Sequence, residues 1–492
     1  MIVPNLQKQY QLYIGGRWQG ASDGNLLPVY SPSSGEVLTQ IANASERDVD
    51  DAVKAAAEAF KTWKKTTPAQ RARLLNQIAD QITEHAEFLA QVESTDNGKP
   101  IRETLGVDIP AAAEHFRYFA GAILADEGSA NMLDENTMSI ILHEPIGVVG
   151  QIIPWNFPFL MAAWKLAPVL ASGCCTVLKP SSATSLSVLE LVKLIGPLLP
   201  AGVINIITGS GSKSGNYMLQ HEGFAKLAFT GSTEVGYRVA KAAAEKLIPA
   251  TLELGGKSAN IFFDDCKWEM AMDGLQMGIL FNQGQVCCAG SRVFVHENIY
   301  DAFVKEAVER FQKIKIGPSM DPATQLGSLV NQEQVNKVLG CIEQAAEEGA
   351  TIACGGKKYT GDGLEKGCYV EPTLITNVTN DMKVAQEEIF GPVACVIKFS
   401  TEEEVIAMAN ESEYGLGGAV WTRDINRALR VARGIETGRV WINTYNSIPA
   451  GAPFGGYKKS GIGRETHKVM LEHYSQIKSI LVNLSESPSG FY

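Results

Sequence analysis

The sequence predicts an α/β protein of two domains, each built on a parallel β-sheet. The chain has 492 residues, more than one compact core usually holds, which favours about two to four domains. Short apolar, β-rich runs alternate with helical segments from about residue 139, and a second such series starts at about residue 290. Because buried strands separated by helices are typical of βαβ units, each series predicts a parallel sheet.

The predicted strands follow in chain order. The first series consists of 139–145, 147–153, 176–179, 203–208, 226–230 and 258–263. The second series consists of 292–297, 392–399, 417–422 and 439–444. The tail 479–485 also alternates in polarity, and as an end segment it is expected to pair outside its own domain.

The N-terminal hundred residues predict helices. Ser45 and Asp48 form an S-x-x-D start before an apolar face, which is typical of a capped helix. Thr67-Pro68 opens a second helix, and Asn97-Gly98 ends it.

Composition and charge exclude several classes of protein. The formal net charge is -11 and the sequence shows no basic stripe, so nucleic acid is not an expected partner. Residues 145–178 are long and apolar, but prolines and polar residues such as Gln151 and Lys165 interrupt them, which a membrane helix tolerates poorly. The N-terminus has no basic segment before an apolar run, so no signal peptide is expected and the chain is predicted to be cytoplasmic.

The nine cysteines and seven histidines predict neither a metal site nor a disulfide framework. The sequence has no Cys-x-x-Cys and no His-x-x-x-His spacing, so no metal is expected. Two pairs of cysteines are adjacent, Cys174–Cys175 and Cys287–Cys288, and a disulfide between neighbours would close a strained ring. A reducing compartment fits this pattern.

Three glycine-containing stretches suggest anion binding, and each has an ordinary alternative. GSGSKSG at 209–215 follows a predicted strand, but its G-x-G-x-x-x-G spacing is weak evidence for a dinucleotide turn. In FTGSTEVG at 229–236, Ser232 or Thr233 starts a helix whose free N–H groups suit a pyrophosphate, or simply caps that helix. ELGGKS at 253–258 is half of a phosphate-binding P-loop without its first glycine, so an NTPase is rejected.

Four residues are candidates for chemistry. Cys287 and Cys288 are either small core residues or a nucleophile beside a second thiol, since a nucleophile needs access and a lowered pKa. Glu253 ends the apolar run TLEL, where a carboxylate is a general base or a buried structural acceptor. Asn156 lies between two prolines in PWNFP, so its amide is either a rigid oxyanion donor or a turn residue.

Six motifs occur together along the chain: PWNFP, FTGSTEVG, LELGGKS, FNQGQVC, EEIFGP and PFGGYKKSGIGRE. In this order they resemble the aldehyde dehydrogenase superfamily, from about residue 10 to the C-terminus. The resemblance implies a Rossmann-like NAD(P)-binding domain (1–124 and 146–254), an α/β catalytic domain (255–457) and a small β oligomerisation element (125–145 and 473–492). It also implies a homo-oligomer, either a dimer or a tetramer.

The resemblance also implies a mechanism. Cys287 occupies the nucleophile's place in the family's G-Q-x-C pattern, and Cys288 is expected to line the aldehyde pocket. Asn156 and the backbone N–H of Cys287 are expected to hold the oxyanion. Glu253 is expected to activate the water that hydrolyses the thioester formed on Cys287.

A proton relay is less completely matched. In some members of the family the counterpart of Lys165, a residue included here among the catalytic candidates, relays protons with a Glu in a C-terminal Y-x-E. In this chain YSQIK places Gln476 there, and an amide cannot take the proton.

The expected cofactor is NAD or NADP. The residues that the family's motifs assign to it are Ile152, Pro154, Trp155, Lys179, Ser182, Gly211, Phe229, Gly231, Ser232, Leu254, Glu388 and Phe390. Ser182 stands where many members carry a Glu that binds the ribose hydroxyls, so NADP is expected to be accepted, with or without NAD.

The expected substrate is a small uncharged aldehyde. Its tunnel is expected to be lined by Phe157, Leu160, Met161, Trp164, Phe281, Val286, Cys288, Ile448 and Phe454. This set is apolar and contains no Arg or Lys for a carboxylated substrate. The segments DNGKP, VVGQIIPWNFP and SGIGRETHKVMLEHY resemble the bacterial acetaldehyde-oxidising branch, which favours acetaldehyde or a similar compound.

Other functions stay open at this point. The substrate could be a different aliphatic or aromatic aldehyde, or the chain could be a non-catalytic structural homologue. A cysteine hydrolase would need a positioned histidine, and no pattern marks one.

Overall fold

The computed structural model describes residues 4–492. Its strands are β1 (Gln9–Tyr10), β2 (Leu12–Ile14), β3 (Arg17–Gln19), β4 (Leu26–Tyr30), β5 (Val37–Ala42), β6 (Ser129–Met132), β7 (Thr137–Pro145), β8 (Val148–Ile152), β9 (Cys175–Lys179), β10 (Ile204–Ile206), β11 (Lys226–Thr230), β12 (Ala250–Glu253), β13 (Ala259–Phe262), β14 (Arg292–His296), β15 (Thr351–Cys354), β16 (Thr373–Thr376), β17 (Val393–Phe399), β18 (Tyr414–Gly415), β19 (Gly417–Trp421), β20 (Arg439–Ile442), β21 (Tyr457–Lys458), β22 (Gly461–Ile462) and β23 (Ser475–Asn483).

Its helices are α1 (Glu46–Trp63), α2 (Pro68–Glu84), α3 (Ala86–Asn97), α4 (Ile101–Glu103), α5 (Ile109–Ala122), α6 (Pro158–Ala171), α7 (Leu186–Ile195), α8 (Asn216–Gln220), α9 (Thr233–Glu245), α10 (Trp268–Leu280), α11 (Tyr300–Gln312), α12 (Gln332–Glu347), α13 (Lys383–Gln386), α14 (Glu402–Asn410), α15 (Ile425–Gly434) and α16 (Val469–His473). A π-helical turn at Thr104–Asp108 joins α4 to α5, and a second one at Gly211–Gly215 precedes α8.

An eight-stranded sheet has the order β22-β12-β11-β8-β9-β10-β2-β3. Its five central strands, from β12 to β10, run parallel, and β22 and β2 pair with them antiparallel. The chain goes from β8 to β9 and β10 on one side, then crosses to β11 and β12 on the other side. Ligands bind at the carboxyl ends of strands where the order reverses in this way. That position here lies beyond β8 and β11.

A seven-stranded sheet has the order β15-β16-β17-β14-β13-β19-β20, and only β15 pairs antiparallel. Both predicted series therefore form mainly parallel sheets, and the α/β fold class is confirmed. The strand β13 was predicted in the first series, but it belongs to this second sheet. Its neighbours β14 and β19 are equally apolar, so periodicity could not tell which sheet it joins.

A three-stranded antiparallel sheet is formed by β6, β7 and β23. The tail strand β23 pairs with β7 over its whole length, from Ser475 opposite Pro145 to Asn483 opposite Thr137. Residues 139–145 therefore lie in this sheet and not in the first parallel sheet. The sheet leaves apolar side chains exposed, among them Ile477 (70%) and Leu481 (65%).

The N-terminal hundred residues contain strands as well as helices, which corrects the expectation of helices alone. β1 to β5 precede α1 and are each only two to six residues long, too short for a clear period-2 pattern. The predicted cap is confirmed, since Ser45 and Asp48 form a capping box at the start of α1. The predicted helix from Pro68 to Asn97 is two helices, because His85 (φ −107°, ψ 19°) leaves helical geometry between α2 and α3.

The long apolar segment from 145 to 178 forms β8, a loop, α6 and β9. Every side chain of α6 is buried, which explains why this helix lacks a polar face. Between residues 4 and 492, no helix is long and apolar enough to cross a membrane.

Candidate active site

A cavity of about 270 Å³ lies at the carboxyl ends of β8, β11 and β12. The loop after β8 carries four of its residues, Pro154, Trp155, Asn156 and Phe157, at the switch point of the first sheet. The predicted site residues that line this cavity are Pro154, Trp155, Asn156, Phe157, Leu160, Met161, Trp164, Gly231, Ser232, Glu253, Leu254, Phe281, Val286, Cys287, Cys288, Glu388, Phe390, Ile448 and Phe454.

The cysteine pair follows a loop in left-handed backbone geometry. Helix α10 ends at Leu280, and Asn282, Gln283 and Gly284 then have φ values of 47°, 57° and 71°. Non-glycine residues adopt this region at a cost, so consecutive examples require support from surrounding contacts. Gly284 also cannot carry a side chain, since a Cβ there would lie 2.0 Å from the Gly391 oxygen. This loop directs Cys287 into the cavity.

The residue Cys287 is partly exposed, and Cys288 is fully buried. A hydrogen bond with Cys288 and burial hold the pKa of the Cys287 thiol well above its usual range. The Cys288 thiol donates a weak hydrogen bond to Asn446 Oδ1 at 3.7 Å. Both thiols line the cavity, but only Cys287 combines that position with access.

Asn156 is held beside the cysteine loop by side-chain hydrogen bonds. Its Nδ2 donates to the Gln285 carbonyl at 2.9 Å. Asn282 Nδ2 donates to the Asn156 carbonyl at 2.8 Å, and Asn97 Nδ2 donates to the Trp155 carbonyl at 2.7 Å. The amide group of Asn156 is therefore fixed at the cavity wall, as an oxyanion donor must be.

Glu253 is almost completely buried at the end of β12. Within residues 4–492, neither of its carboxylate oxygens has a hydrogen-bond partner. Burial, followed by the charge of Glu465, raises the pKa of Glu253 well above its ordinary value. Burial of a carboxylate without a hydrogen-bond partner costs free energy, so such groups are rare outside functional sites. A raised pKa is typical of general bases.

Lys165 does not line the cavity; it projects from α6 towards Glu465. Its Nζ donates to Glu465 Oε1, and both side chains have no exposed surface. Gln476, which the sequence assigned to the relay position, is exposed on β23 opposite Glu144. The buried acid beside Lys165 is therefore Glu465 of the motif SGIGRE, and its partner is not Gln476 of the segment YSQIK.

The features expected for a dinucleotide are present beside the cysteine loop. Ser232 is the N-cap of α9 and accepts a hydrogen bond from Val235 N, so the predicted helix start is present at the cavity wall. Glu388 Oε1 accepts from Gly256 N at 3.1 Å, which turns its carboxylate into the cavity. The Phe390 ring lies 5.2 Å from that of Trp155 at an angle of 87°. A helix N-terminus, a carboxylate and an aromatic wall fit the phosphate, ribose and ring of a dinucleotide.

Five predicted cofactor residues lie outside the cavity wall: Ile152, Lys179, Ser182, Gly211 and Phe229. Three of them are level with one another on adjacent strands, with Ile152 paired to Lys179 and to Phe229. These three residues lie at the carboxyl edge of the same sheet, outside the cavity that contains Cys287. Burial lowers the pKa of Lys179 to about 8.

The remaining wall of the cavity is aromatic and aliphatic. The rings of Phe157 and Phe281 stack with centroids 5.9 Å apart, and the Trp164 and Phe454 rings lie 5.4 Å apart. Asn446 is one of the polar residues of the cavity wall, and its Nδ2 donates a hydrogen bond to the Met277 carbonyl. Such a wall suits an uncharged substrate.

Sequence reasoning missed seven residues of the wall: Val107, Ala111, Thr230, Gly255, Gln334, Lys337 and Asn446. Gln334 Nε2 donates to the Phe390 carbonyl at 2.8 Å and so holds the EEIFGP loop. Gln334 and Lys337 are three residues apart on α12, a spacing that places both on one helix face. That spacing was the only available signal, and it does not tell which part of the molecule the helix faces.

Comparisons with known proteins agree with this geometry. The aldehyde dehydrogenase family model matches residues 18–480. An aldehyde dehydrogenase of Vibrio cholerae serotype O1 is 50% identical over 489 residues, which are 98% of this chain and 96% of that protein.

Solved structures give the same result. The NAD⁺ complex of an aldehyde dehydrogenase from Bacillus cereus has a TM-score of 0.96 and 43% identity, covering 98% of this chain and 100% of that one. Betaine aldehyde dehydrogenase from Staphylococcus aureus, in complex with NAD⁺, has a TM-score of 0.96 and 41% identity, covering 98% of this chain and 96% of that one. With the family match and the arrangement of Cys287, Asn156 and Glu253 around one cavity, this chain belongs to the aldehyde dehydrogenase family.

Proposed function

We propose that this chain oxidises a small uncharged aldehyde, acetaldehyde or a similar compound, to its carboxylic acid with NAD or NADP. The observation that carries the proposal is the meeting of a thiol, an amide and an unpaired carboxylate at one apolar cavity. Cys287, Asn156 and Glu253 come from three distant parts of the sequence and all line it. An unpaired buried carboxylate destabilises the fold, so its presence at this cavity favours a catalytic role over a purely structural one.

In this proposal Cys287 is the nucleophile. Its raised pKa keeps the thiol protonated in the free protein, so the thiol must lose its proton to solvent as the sulfur adds to the aldehyde, and Glu253 stays free to act as base in the later hydrolysis. The thiolate adds to the aldehyde carbon, and the C=O electron pair moves onto oxygen. Asn156 Nδ2 and the Cys287 N–H hold that oxyanion.

The nicotinamide cofactor, when bound, accepts the hydride from the substrate carbon. Glu388 and the Trp155–Phe390 pair would hold its nicotinamide half, and Gly231, Leu254 and Ser232 the pyrophosphate region. Lys179, Ser182, Gly211, Ile152 and Phe229 would hold the adenosine half along the sheet edge. Glu253 then takes a proton from water, which attacks the Cys287 thioester and releases the acid and the thiolate.

Further parts of the proposal follow from the family and from the arrangement of the sheets. We place the cofactor domain at 1–124 and 146–254, the catalytic domain at 255–457, and the oligomerisation element at 125–145 and 473–492. The exposed apolar side chains of the β6, β7 and β23 sheet support a homo-oligomer, which we propose is a tetramer. We propose a cytoplasmic location, since all nine cysteines are free.

The test is a steady-state panel with the purified protein. The panel contains acetaldehyde, propanal, benzaldehyde and betaine aldehyde, each with NAD and with NADP. Reduction of the cofactor with acetaldehyde or propanal, and formation of the acid, supports the proposal. The aromatic wall could also hold a quaternary ammonium group, so a clear preference for betaine aldehyde would replace the proposed substrate. No reduction with any aldehyde would overturn the enzymatic function.

A further inference from the structure

The loop that carries Cys287 is anchored from behind by a buried carboxylate. Glu103, the last residue of α4, is 7% exposed, and its Oε2 accepts a hydrogen bond from the Asn282 backbone N–H at 2.9 Å. Asn282 has a φ of 47°, which lies in the left-handed region. A non-glycine residue stays in this geometry only where contacts hold it there. The Glu103 carboxylate is one of these contacts, and it comes from a segment 179 positions away.

Asn282 connects Glu103 to the residues of the candidate active site. Its Nδ2 donates to the Asn156 carbonyl at 2.8 Å and to the Gln285 carbonyl at 3.1 Å. Asn156 Nδ2 donates to the same Gln285 carbonyl at 2.9 Å, and Gln285 lies in the same loop as Cys287. Glu103 does not line the cavity around Cys287. Any effect of Glu103 on the reaction must therefore run through Asn282.

The charges around Glu103 oppose one another. They are Glu93 of α3, Lys99 of the loop after α3, Arg102 of α4 itself, Asp108 of the π-helical turn and Asp273 of α10. The Lys99 ammonium is engaged by Asp108, since its Nζ donates to Asp108 Oδ2 at 2.6 Å and both side chains are buried. Burial raises the pKa of Glu103 to about 8, although the hydrogen bond from Asn282 and the charge of Lys99 lower it. Glu103 therefore changes its charge in a range of pH in which rates can be measured.

We infer that Glu103 is a positioning residue for the oxidation: its anionic carboxylate fixes Asn282, which in turn fixes the Asn156 amide at the cavity wall. This inference rests on the proposed function and adds a residue to it. An ionised acceptor forms a stronger hydrogen bond than a neutral one, so the loop is held most firmly when Glu103 is deprotonated. Because the pKa of Glu103 is about 8, this contribution is present above that pH and is lost as pH falls through it.

The test compares the parent with Glu103→Gln in the burst of reduced cofactor, with acetaldehyde and NAD, from about pH 6 to about pH 9. Gln has the same length and can still accept from Asn282 N through its amide oxygen, so it imitates the protonated form of Glu103. The burst rate of the parent should exceed that of the variant by about three- to tenfold at the basic end, and the two rates should converge at the acidic end. The burst precedes the step assigned to Glu253, and titration of Cys287 affects both proteins alike. A ratio of the two rates that stays constant with pH would overturn the inference.

Glu190→Gln is the matched control. Glu190 is also 7% exposed, and its carboxylate accepts from Tyr10 and Lys193, neither of which lines the cavity. The same loss of a buried negative charge should leave the burst rate within about twofold of the parent's at every pH, because no contact links Glu190 to the cysteine loop. If Glu190→Gln shows the same pH-dependent loss as Glu103→Gln, the effect does not come from the contact with Asn282 and the inference is wrong.

A double-mutant cycle with Asn156→Ala tests the connection through Asn156. Asn156→Ala removes the group that Glu103 positions, so adding Glu103→Gln should slow the single-turnover rate of this variant by less than about twofold at basic pH. Full multiplication of the two single effects would show that Glu103 supports the fold in general, and its role as a positioning residue would be wrong.

Hydrogen exchange on the parent tests the contact without turnover. Protection of the peptide 281–288, corrected for the intrinsic exchange rate, should increase as pH rises through about 8, because the ionised Glu103 holds the Asn282 N–H more tightly. Protection that does not change with pH would overturn the inference even if Glu103→Gln fails to fold. A burst whose rate ratio is independent of pH overturns the inference alone, whereas a parent without a burst on any aldehyde overturns the proposed function as well.

Discussion

Lys165 and Glu465 form an ion pair across 300 positions of the sequence, with both side chains fully buried. The charge of Glu465 contributes to the raised pKa of Glu253, and that of Lys165 opposes it. The Glu465 backbone exchanges two hydrogen bonds with Phe454, which lines the aldehyde cavity. One acidic residue therefore connects the electrostatics of Glu253 to the position of the substrate wall.

Glu465→Gln should shift the pH profile of kcat. Removal of a negative charge lowers the pKa of Glu253, so the acidic limb of the profile should move to lower pH. The lone Lys165 charge left behind should also lower Tm, since breaking a buried pair costs about 3–5 kcal/mol. The measurements are kcat against pH and thermal unfolding, both on purified protein.

Gln476→Glu is the matched control for that experiment. It restores the acid that the sequence seemed to require, but on the exposed strand β23 and next to Glu144. We expect its pH profile to match that of the parent. A shifted profile in this variant, with none in Glu465→Gln, would mean that the relay runs through position 476 after all.

Glu253→Gln should cut steady-state turnover by about 10²–10⁴-fold, the usual contribution of a general base. The base must be deprotonated to act, and burial raises its pKa, so kcat of the parent should rise with pH above the ordinary range of a carboxyl group. In Glu253→Gln that rise should vanish, while a burst of reduced cofactor survives if Cys287 is still acylated. Stopped-flow and steady-state rates from pH 5 to 10 measure both effects. Unchanged turnover would remove the role of Glu253.

Cys287→Ala should abolish dehydrogenase turnover, whereas Cys288→Ala should keep substantial activity with a changed substrate profile. Both thiols line the cavity, but Cys287 is partly exposed and Cys288 is not. The readouts are aldehyde oxidation and the stoichiometry of labelling by iodoacetamide. If Cys288→Ala is the inactive variant, the nucleophile has been assigned to the wrong sulfur.

Local sequence patterns could predict only part of the fold. Periodicity could predict most strands of the two parallel sheets because they are short apolar runs, most of them separated by helices. It did not predict β15 and β16 at one edge of the second sheet. Local rules could not predict β1 to β5, since two to six residues at an edge carry little pattern. The same local rules predicted α2 and α3 as one helix, because a histidine such as His85 does not indicate the end of a helix.

Sequence patterns also predicted some residues of the candidate site and missed others. Motifs identified Cys287, Glu253 and Asn156, which lie in distinctive local patterns. Asn446 and Gln334 also line the cavity. They were missed because they lie in a turn and a helix whose sequences contain no distinctive pattern. Glu465 was missed although it lies in a recognised motif, because nothing local shows that its partner is Lys165. Contacts over such separations depend on how sheets and helices pack, which local patterns do not specify.

Ser182 should permit the use of NADP. Ser182 does not start a helix, since α7 begins at Leu186 and its N-cap is Ser185. Ser182 is therefore half-buried in the loop after β9, three residues beyond Lys179. A carboxylate at this place would repel a 2′-phosphate, whereas a hydroxyl can donate to it.

The test compares kcat/KM for NADP and NAD in the parent and in Ser182→Glu. One unfavourable like-charge contact of about 1.4 kcal/mol is a factor of ten, so the NADP-to-NAD ratio should fall at least that far in the variant. Lys179 adds a dependence on pH, because burial lowers its pKa to about 8. A phosphate gains from Lys179 only while the ammonium is protonated, so the NADP-to-NAD ratio of the parent should decline as pH rises through that value. Ser182→Ala, which removes the donor without adding charge, should lie between the parent and Ser182→Glu. If the parent rejects NADP, or if Ser182→Glu leaves the NADP-to-NAD ratio unchanged, residues other than Ser182 determine the cofactor preference.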